Sequence, residues 1–379
     1  MGACEILLWA VAAWWAYAAF NALMNVFFVP RLPPLDSQEP LPTLSVVIPA
    51  RDEERRIGVA VAAHCGQDYP GLQVVVVDDG SSDATPQILA ELAARFPALQ
   101  VVRGEEPPEG WLGKPHAQML GLRAARGELV LFVDADVVYA PGVHRRAAAE
   151  LERRGLDMLL LLSRLEGRGL EPLVLSLLDA FAFYASPTWL MNLPKPRFFA
   201  FGAGSGNLVR RSAFEEAGGI GRLRAEVIDD VAMGRMMKRF RGRFRLVLCF
   251  RDIRVRMYEG FRGCLEGFTK NYYGVFGYSL LRAVPLQALD VLVHAACPAA
   301  AAAAALRLAP ATWLAPALVG WAAGLALNAG ACLWARHPLW VALAYPVRPL
   351  IWSVILVRSA WRYRRRGLVW RGRRYGNLT

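Results

Sequence analysis

Acidic residues gather at three points in the central sequence, each directly after a short apolar run. The runs lead into Pro49-Ala50-Arg51-Asp52-Glu53-Glu54, Asp78-Asp79-Gly80 and Asp134-Ala135-Asp136. Carboxylates brought to one place repel one another unless a cation joins them, and Mg²⁺ or Mn²⁺ with oxygen ligands would relieve that repulsion. A nucleotide diphosphate would supply the remaining oxygen ligands. Glu53, Asp78 and Asp79 are suited to accept hydrogen bonds from a base or a ribose hydroxyl.

The sequence around these clusters predicts alternating strands and helices. Apolar runs rich in β-branched residues predict strands, and amphipathic runs between them predict helices. The predicted strands are 44–48, 72–77, 99–102 and 129–133, and the predicted helices are 52–65, 85–96, 115–126 and 141–154. This pattern indicates a doubly wound α/β fold with a parallel sheet covered on both faces. Ligands of such sheets bind beyond the carboxyl ends of the strands, where the acidic clusters fall.

Each motif also has a plain structural interpretation. Asp79-Gly80-Ser81-Ser82-Asp83 is typical of a turn that caps a helix, and Asp-x-Asp is a short pattern with many chance matches. Gly202-Ala203-Gly204-Ser205-Gly206 looks like a phosphate-binding loop, but we predict no strand and helix after it and interpret it as structural. The order and spacing of the whole set is more specific than any single motif.

Long apolar segments flank the central region. Of all residues 55% are hydrophobic and 20% are charged, and the mean hydropathy is +0.28. Residues 6–29 carry no charge and would form about 36 Å of helix, enough to cross a bilayer. Residues 308–335 are also free of charge, and residues 286–306 carry Asp290 and His294 in their first half. In residues 338–357, Arg348 indicates either a re-entrant or interfacial segment or a span whose Arg faces a bundle interior.

The charge distribution predicts a cell-membrane protein with several spans. The net charge is +12, and eight arginines with no acidic residue lie in 358–379. A basic tail beside apolar segments indicates a membrane surface rather than nucleic acid. By the positive-inside rule, Arg31 and this tail are both cytoplasmic, so an even number of crossings follows the central region. We therefore predict an anchor (1–35), a cytoplasmic domain with interfacial helices (36–285), two or three membrane segments (286–357) and a cytoplasmic tail (358–379).

The ordered set of motifs resembles the family 2 glycosyltransferases of the GT-A fold, over about residues 44–250. Pro49, Ala50 and Glu53 lie at the family's first-strand nucleotide contact, and Asp78 and Asp79 match its uridine-contacting carboxylates. Asp134-Ala135-Asp136 matches the family's metal-binding Asp-x-Asp. Asp229-Asp230 matches the pair that supplies the catalytic base, although Ile228-Asp229-Asp230 departs from the commoner Thr-Glu-Asp.

A membrane-bound subgroup of that family is similar over further motifs. These are Gly110-Trp111-Leu112-Gly113-Lys114, Arg256-Met257-Tyr258, Phe268-Thr269-Lys270 and Trp370-Arg371-Gly372-Arg373-Arg374-Tyr375. The subgroup includes glycosyltransferases of carotenoid acids and hopene-associated ones. The resemblance implies donor contacts by Trp111, Gly113, Lys114 and Lys270, and metal ligands Asp134 and Asp136. It implies metal-dependent, inverting transfer from a nucleotide-diphosphate sugar, UDP being the expected nucleotide, to a membrane lipid at the cytoplasmic face.

Three alternatives remain beside this interpretation. A processive polysaccharide synthase would carry Gln-x-x-Arg-Trp after the base, but no Gln lies between Gln118 and Gln287. A polyprenyl-phosphate sugar transferase would need further basic contacts near Lys270. A nucleotide-sugar-binding pseudoenzyme would not need Asp136 and Asp230. For the acceptor we favour a hydroxyl-bearing lipid, a terpenoid or a glyceride, because an ionised carboxylic acid needs no general base.

Overall fold

The computed structural model describes residues 2–34, 40–366, 368–370 and 373–375. The chain divides into two compact units. Val29–Leu165 and Leu190–Met257 build an α/β unit, and Met1–Phe28, Glu166–Trp189 and Tyr258–Trp370 build a helical unit. All six cysteines are free thiols.

The regular elements are numbered along the chain. The strands are β1 (Leu44–Ala50), β2 (Leu72–Asp78), β3 (Leu99–Arg103), β4 (Leu129–Phe132), β5 (Val137–Tyr139), β6 (Met158–Leu162), β7 (Arg164–Leu165), β8 (Asn207–Arg210), β9 (Phe244–Leu248), β10 (Ile253–Val255), β11 (Leu368–Trp370) and β12 (Arg373–Tyr375). The helices are α1 (Ala3–Phe28), α2 (Ile57–Cys65), α3 (Thr85–Arg95), α4 (Gly113–Ala124), α5 (Val143–Arg153), α6 (Pro172–Ala180), α7 (Arg211–Glu216), α8 (Asp229–Phe240), α9 (Gly260–Val275), α10 (Leu280–Ala305), α11 (Leu314–Ala335), α12 (Trp340–Leu343) and α13 (Arg348–Arg366).

A seven-stranded sheet in the order β3-β2-β1-β4-β8-β6-β9 forms the centre of the α/β unit. Its first four strands are parallel, as predicted. Strand β8 runs antiparallel to both β4 and β6, so the expectation of a wholly parallel sheet is wrong at that strand. A smaller sheet in the order β5-β10-β7 lies in the same unit.

Both faces of the central sheet are covered, as its apolar strands require. On β1 and β2, side chains such as Val46 and Val74 join the main hydrophobic core. Their neighbours Val75 and Val77 point the other way and pack with Ala117 of α4. This alternation positions α4 against one face, and α4 carries part of the candidate site.

The register of the parallel strands brings the acidic loops to one edge. Ala50 at the end of β1 pairs with Asp78 at the end of β2, and Val47 of β1 pairs with Phe132 at the end of β4. Helix α2 begins at Ile57, whereas the sequence predicted a helix from 52. Residues 52–56 form a loop because Asp52 has a left-handed backbone (φ 52°) and hydrogen bonds with Ser81 and Ser82.

Among the described residues, three helical stretches of the helical unit are long and apolar enough to cross a membrane: Ala3–Phe28, Leu280–Ala305 and Ala311–Ala335. They correspond to the three predicted spans outside residues 338–357. That last segment is not one helix, because α12 ends at Leu343 and α13 begins at Arg348. Arg348 is fully buried and donates hydrogen bonds to Ser176 and Asn328, so its guanidinium faces the interior of the unit.

Buried polar side chains tie α1 into the helical unit. The Asn25 amide nitrogen donates to the carbonyls of Ala182, Phe183 and Ser186, at 3.2, 2.9 and 3.1 Å. Its amide oxygen accepts the backbone N–H of Trp189 at 2.8 Å. The first candidate span is therefore held by directional contacts as well as by apolar packing.

Candidate active site

The loops that follow β1 and β2 are joined by hydrogen bonds. The backbone N–H of Asp79 donates to the carbonyl of Ala50 at 2.8 Å, directly after Pro49. The Glu53 N–H donates to Thr85 Oγ1 at 2.8 Å, and the Glu53 carboxylate lies 3.6 Å from the Arg56 guanidinium. The predicted first-strand contacts Pro49, Ala50 and Glu53 therefore lie at the same edge as the end of β2.

The two carboxylates after β2 have different surroundings. Asp78 Oδ1 accepts the Ser81 N–H at 3.0 Å, which closes the predicted turn. Asp79 is buried, and Arg51 donates to its carbonyl at 2.9 Å while lying 3.8 Å from its carboxylate. Gly104 fits tightly here, because an added Cβ would lie 2.7 Å from the Asp78 carbonyl oxygen. The loop after β2 is therefore closely packed beside the end of β1.

Lys114 joins the Asp-x-Asp motif to the Asp229-Asp230 pair. Its ammonium lies 2.8 Å from Asp134 Oδ1 and 3.2 Å from Asp229 Oδ1. Burial lowers the pKa of Lys114, but Asp134, Asp229 and Asp230 outweigh burial and raise that pKa well above its usual value. Lys114 is therefore a permanent positive charge among carboxylates that come from two distant parts of the sequence.

The loop before α4 sets the position of this lysine. Gly113 is buried and begins α4, so Lys114 lies in the first turn of the helix. The N–H of Leu112 donates to the Arg224 carbonyl at 2.8 Å. The partly buried Trp111 ring packs edge-on against His116, with ring centroids 5.9 Å apart. Trp111 therefore lies beside the first turn of α4, next to the predicted donor contacts Gly113 and Lys114.

Gln118 is a site residue that the sequence analysis missed. It lies one helical turn after Lys114 and is buried, and its amide nitrogen donates to Asp229 Oδ2 at 2.7 Å. Both oxygens of Asp229 are therefore engaged, one by Lys114 and the other by Gln118. The spacing of four residues after the lysine was the available signal, because residues i and i+4 share a helix face.

Asp230 has a carboxyl group whose pKa suits a general base. It lies in the first turn of α8, and its Oδ1 accepts the N–H of Val231 at 2.8 Å. Burial raises the pKa of Asp230; Lys114 opposes the rise, and Asp229 and Asp134 add to it, which leaves the pKa at about 7. A base whose pKa lies near the working pH is partly deprotonated and is still basic enough to accept a proton. Since Asp229 is engaged through both oxygens, Asp230 is the better candidate of the pair.

The donor set of Asp134 and Asp136 fits a hard divalent cation. Burial raises the pKa of Asp136; the carboxylates of Asp134 and Glu53 add to the rise and Arg56 opposes it, which leaves the pKa at about 7. A cation bound there would relieve this crowding of negative charge. Among the described residues no group of three or more His, Cys, Asp or Glu side chains could hold a metal ion by itself. A metal held by Asp134 and Asp136 would therefore take its other oxygen ligands from water or, as the sequence predicts, from a bound nucleotide diphosphate.

The glycine-rich loop at 202–206 packs directly against Asp134 and Asp230. The Asp134 N–H donates to the Gly204 carbonyl at 2.8 Å, and a Cβ at Gly204 would overlap the Asp134 carboxylate. A Cβ at Gly202 would overlap the carbonyl oxygen of Asp230. Strand β8 and helix α7 follow the loop, so the expectation that no strand and helix come after it was wrong. Close approach explains the two glycines, which agrees with the structural interpretation.

The last predicted donor contact, Lys270, belongs to the other unit. It lies on α9, within the helical unit, whereas all the other predicted site residues lie in the α/β unit. Its role toward a donor stays a prediction.

The Trp370–Tyr375 motif includes Arg371 and Gly372, which lie outside the described residues.

Part of the chain matches a known protein family. Residues 45–218 match the family model described as glycosyl transferase family 2. A beta-monoglucosyldiacylglycerol synthase of Trichormus variabilis is 38% identical over 122 residues, which are 32% of this chain and 26% of that protein. A 4,4'-diaponeurosporenoate glycosyltransferase of Staphylococcus aureus is 37% identical over 97 residues, 26% of this chain and 24% of that protein. The chain thus spans about a quarter of the length of these curated relatives.

A solved structure shares the fold over nearly the whole chain. The mannosyltransferase PcManGT from Pyrobaculum calidifontis, solved in complex with GDP-Man and Mn²⁺, superposes with a TM-score of 0.54. The match covers 95% of this chain and 98% of that chain at 21% sequence identity. Together with the mixed central sheet, this similarity confirms the predicted GT-A-like α/β fold.

The close approach of Gly204 to Asp134 generates a prediction. In Gly204→Ala the added methyl group must displace the Asp134 carboxylate and with it the contact to Lys114. Since a misplacement of about 1 Å can cost about 10²-fold in rate, we expect the rate of any reaction that depends on this contact to fall by about that factor. Gly221→Ala is the matched control, because a Cβ there meets nothing within 4 Å. Initial rates and thermal unfolding of both variants would be measured, and equal rates would show that the loop does not position Asp134.

Proposed function

Because the chain carries a glycosyltransferase family 2 domain, we propose that it moves a sugar from a nucleotide-diphosphate sugar to a membrane lipid. The observation that carries this proposal is the position of the Lys114 ammonium, in contact with both Asp134 and Asp229. One ammonium group thus joins the predicted donor-binding carboxylate to the pair that holds the predicted base. Donor and acceptor must meet within a few ångströms for transfer, and this cluster offers such a place.

The donor nucleotide would lie at the carboxyl ends of β1 and β2. Glu53, Asp78 and Asp79 supply acceptors for the hydrogen-bond donors of a base and a ribose, and Asp79 is held in place by Arg51. UDP is the nucleotide that we propose, because Asp78 and Asp79 match the family's uridine-contacting carboxylates and the uracil N–H group can donate to a carboxylate. Trp111 lies beside Lys114 and would offer an apolar face to the sugar ring.

The departing diphosphate develops negative charge that needs stabilisation. A Mg²⁺ or Mn²⁺ ion held by Asp134 and Asp136 would neutralise part of that charge. Lys114 adds a positive charge from the protein itself, held by contacts that do not depend on the donor. Gln118 keeps Asp229, and through it the lysine, in one orientation.

Asp230 would accept the proton of the acceptor hydroxyl. An acceptor that attacks the face opposite the departing diphosphate inverts the anomeric carbon. A lipid hydroxyl has a pKa far above 7, so its attack gains from a positioned base, and the pKa of Asp230 at about 7 suits that task. A carboxylate acceptor would not use this group, which favours a glyceride or a hydroxylated terpenoid.

The helical unit supports a lipid acceptor and a membrane location. Its three long apolar helices would anchor the protein as a multi-pass membrane protein. Two of them, Leu280–Ala305 and Ala311–Ala335, follow the family 2 domain. Two crossings return the chain to the same side, as a cytoplasmic domain and a cytoplasmic tail require. The names of the two relatives describe lipid-type acceptors, a diacylglycerol and a carotenoid acid.

The pH dependence of transfer tests the role of Asp230. A base works only when deprotonated, so kcat/KM should rise with pH toward about 7, the pKa of Asp230, and then level off. The raised pKa of Asp136 contributes to the same rise, so the difference between wild type and Asp230→Asn isolates the base. That variant should lower kcat by about 10²–10⁴-fold and leave donor affinity within about twofold.

Asp68→Asn is the control for that measurement, since the Asp68 side chain is 92% exposed and makes one long ion pair with Arg145. Rate–pH profiles and donor titrations would be recorded for the three proteins. An unchanged kcat in Asp230→Asn would remove this carboxylate from the mechanism.

The overall proposal is tested by following a labelled sugar. Membranes that contain the protein would be incubated with radiolabelled UDP-sugars and GDP-sugars, with and without EDTA, and their lipids extracted. We expect a labelled lipid that requires a divalent cation and whose sugar stays glycosidically linked after mild alkali, either to a terpenoid or, once alkali has removed the acyl chains of a glyceride, to glycerol. Release of the free sugar by alkali would indicate a carboxylate acceptor, and release of the free sugar by mild acid a glycosyl phosphate. Absence of any labelled lipid would favour the pseudoenzyme.

A further inference from the structure

A polar stripe runs along the exposed face of α9 in the helical unit. Arg262, Glu266 and Lys270 recur at intervals of four residues and are exposed. The opposite face of the helix is apolar and packs through Cys264 against Trp352 of α13. Helix α9 is therefore amphipathic, and its packing on α13 fixes where the polar stripe lies.

A cavity opens between the first half of α9 and the middle of α13. Its volume is about 360 Å³, and its lining residues are Arg262, Leu265, Glu266 and Arg358. This volume falls in the range of small-molecule sites, about 300–1,000 Å³. The cavity lies wholly within the helical unit and belongs to none of the residues assigned to sugar transfer.

The charged groups of this cavity have no partner among the described residues. Arg262, Glu266 and Arg358 make no hydrogen bond or ion pair there, although Arg358 is partly buried. The lining includes two guanidinium groups and one carboxylate, so its net charge is one positive unit. A monoanion, such as a phosphate diester, would neutralise that charge, whereas a free phosphate dianion would exceed it.

An exposed apolar stripe on α13 leads past the same arginine. Leu350, Val354, Val357 and Trp361 are 48%, 53%, 69% and 51% exposed. Their spacing of four, three and four residues places them on one face of the helix. Arg358 lies one turn after Val354 and just under one turn before Trp361, so it adjoins this face. Exposed apolar side chains in a row beside basic ones are typical of a helix in contact with lipid.

We propose that this cavity binds the phosphodiester headgroup of an anionic membrane phospholipid, with its acyl chains along the α13 stripe. Arg262 and Arg358 would donate paired hydrogen bonds to the phosphate oxygens, a geometry for which guanidinium is suited. Glu266 would accept a hydrogen bond from a headgroup hydroxyl, such as those of phosphatidylglycerol. The site is separate from sugar transfer, so the proposal stands without the proposed catalytic function.

The test measures lipid binding by the full-length protein in detergent micelles. Phosphatidylglycerol would be titrated and the bound lipid counted by native mass spectrometry. The double variant Arg262→Gln with Arg358→Gln should bind it about tenfold more weakly, because each arginine near a lipid surface contributes to the attraction. The matched control is Arg307→Gln with Arg364→Gln, which removes the same charge from exposed positions of the helical unit outside the cavity. The control should change binding by less than about twofold.

Three other results would overturn the proposal. Equal loss in both double variants would show diffuse attraction to basic residues rather than a site. Displacement of the lipid by millimolar inorganic phosphate would identify the cavity as a site for free anions. Binding of phosphatidylcholine as tight as that of phosphatidylglycerol would show that the arginines do not select charge. Thermal unfolding of each variant would confirm that the helical unit remains folded.

Discussion

The ammonium of Lys114, held between Asp134 and Asp229, is the interaction on which the candidate site depends. The ends of β1, β2 and β4 bring their carboxylates to one sheet edge, and the first turn of α8 adds two more. Such a concentration of negative charge in a partly buried place opposes the folded state unless positive charge enters. Lys114 supplies one such charge, and its raised pKa keeps it charged throughout the physiological range.

The surrounding elements keep that interaction in place by steric and directional means. Gln118 occupies the second oxygen of Asp229, so the carboxylate cannot rotate away from the lysine. Gly204 leaves space for Asp134 on the other side, and Gly202 lets its loop pass directly beside the backbone of Asp230. The site is thus assembled from a helix start, a strand end and a loop, each of which would be ordinary elsewhere in the fold.

The positions of the acidic loops followed from the sequence because parallel strands deliver their carboxyl ends to one edge. Asp78, Asp79, Asp134 and Asp136 could be assigned to that edge from hydrophobic periodicity and the order of the motifs. The antiparallel direction of β8 could not be predicted, because the four residues of this short strand carry no signal of its direction in the sheet. The hydrogen bond from Gln118 to Asp229 and the close approach of Gly204 to Asp134 join residues about 70 to 110 positions apart in the sequence. The spacing of four residues placed Gln118 on the helix face of Lys114, but its contact with Asp229, like the approach of Gly204 to Asp134, depends on tertiary packing that single-sequence patterns do not encode.

Binding of Mn²⁺ in the absence of nucleotide tests the central role of Lys114 most directly. If its ammonium balances the carboxylates as described, it also repels a divalent cation that approaches Asp134. Lys114→Met should therefore bind Mn²⁺ at least about tenfold more tightly than wild type, given the strength of charge interactions at this range. Lys114→Arg, which retains the charge, should resemble wild type. Equal or weaker Mn²⁺ binding by Lys114→Met, measured by titration calorimetry, would contradict this role of the lysine.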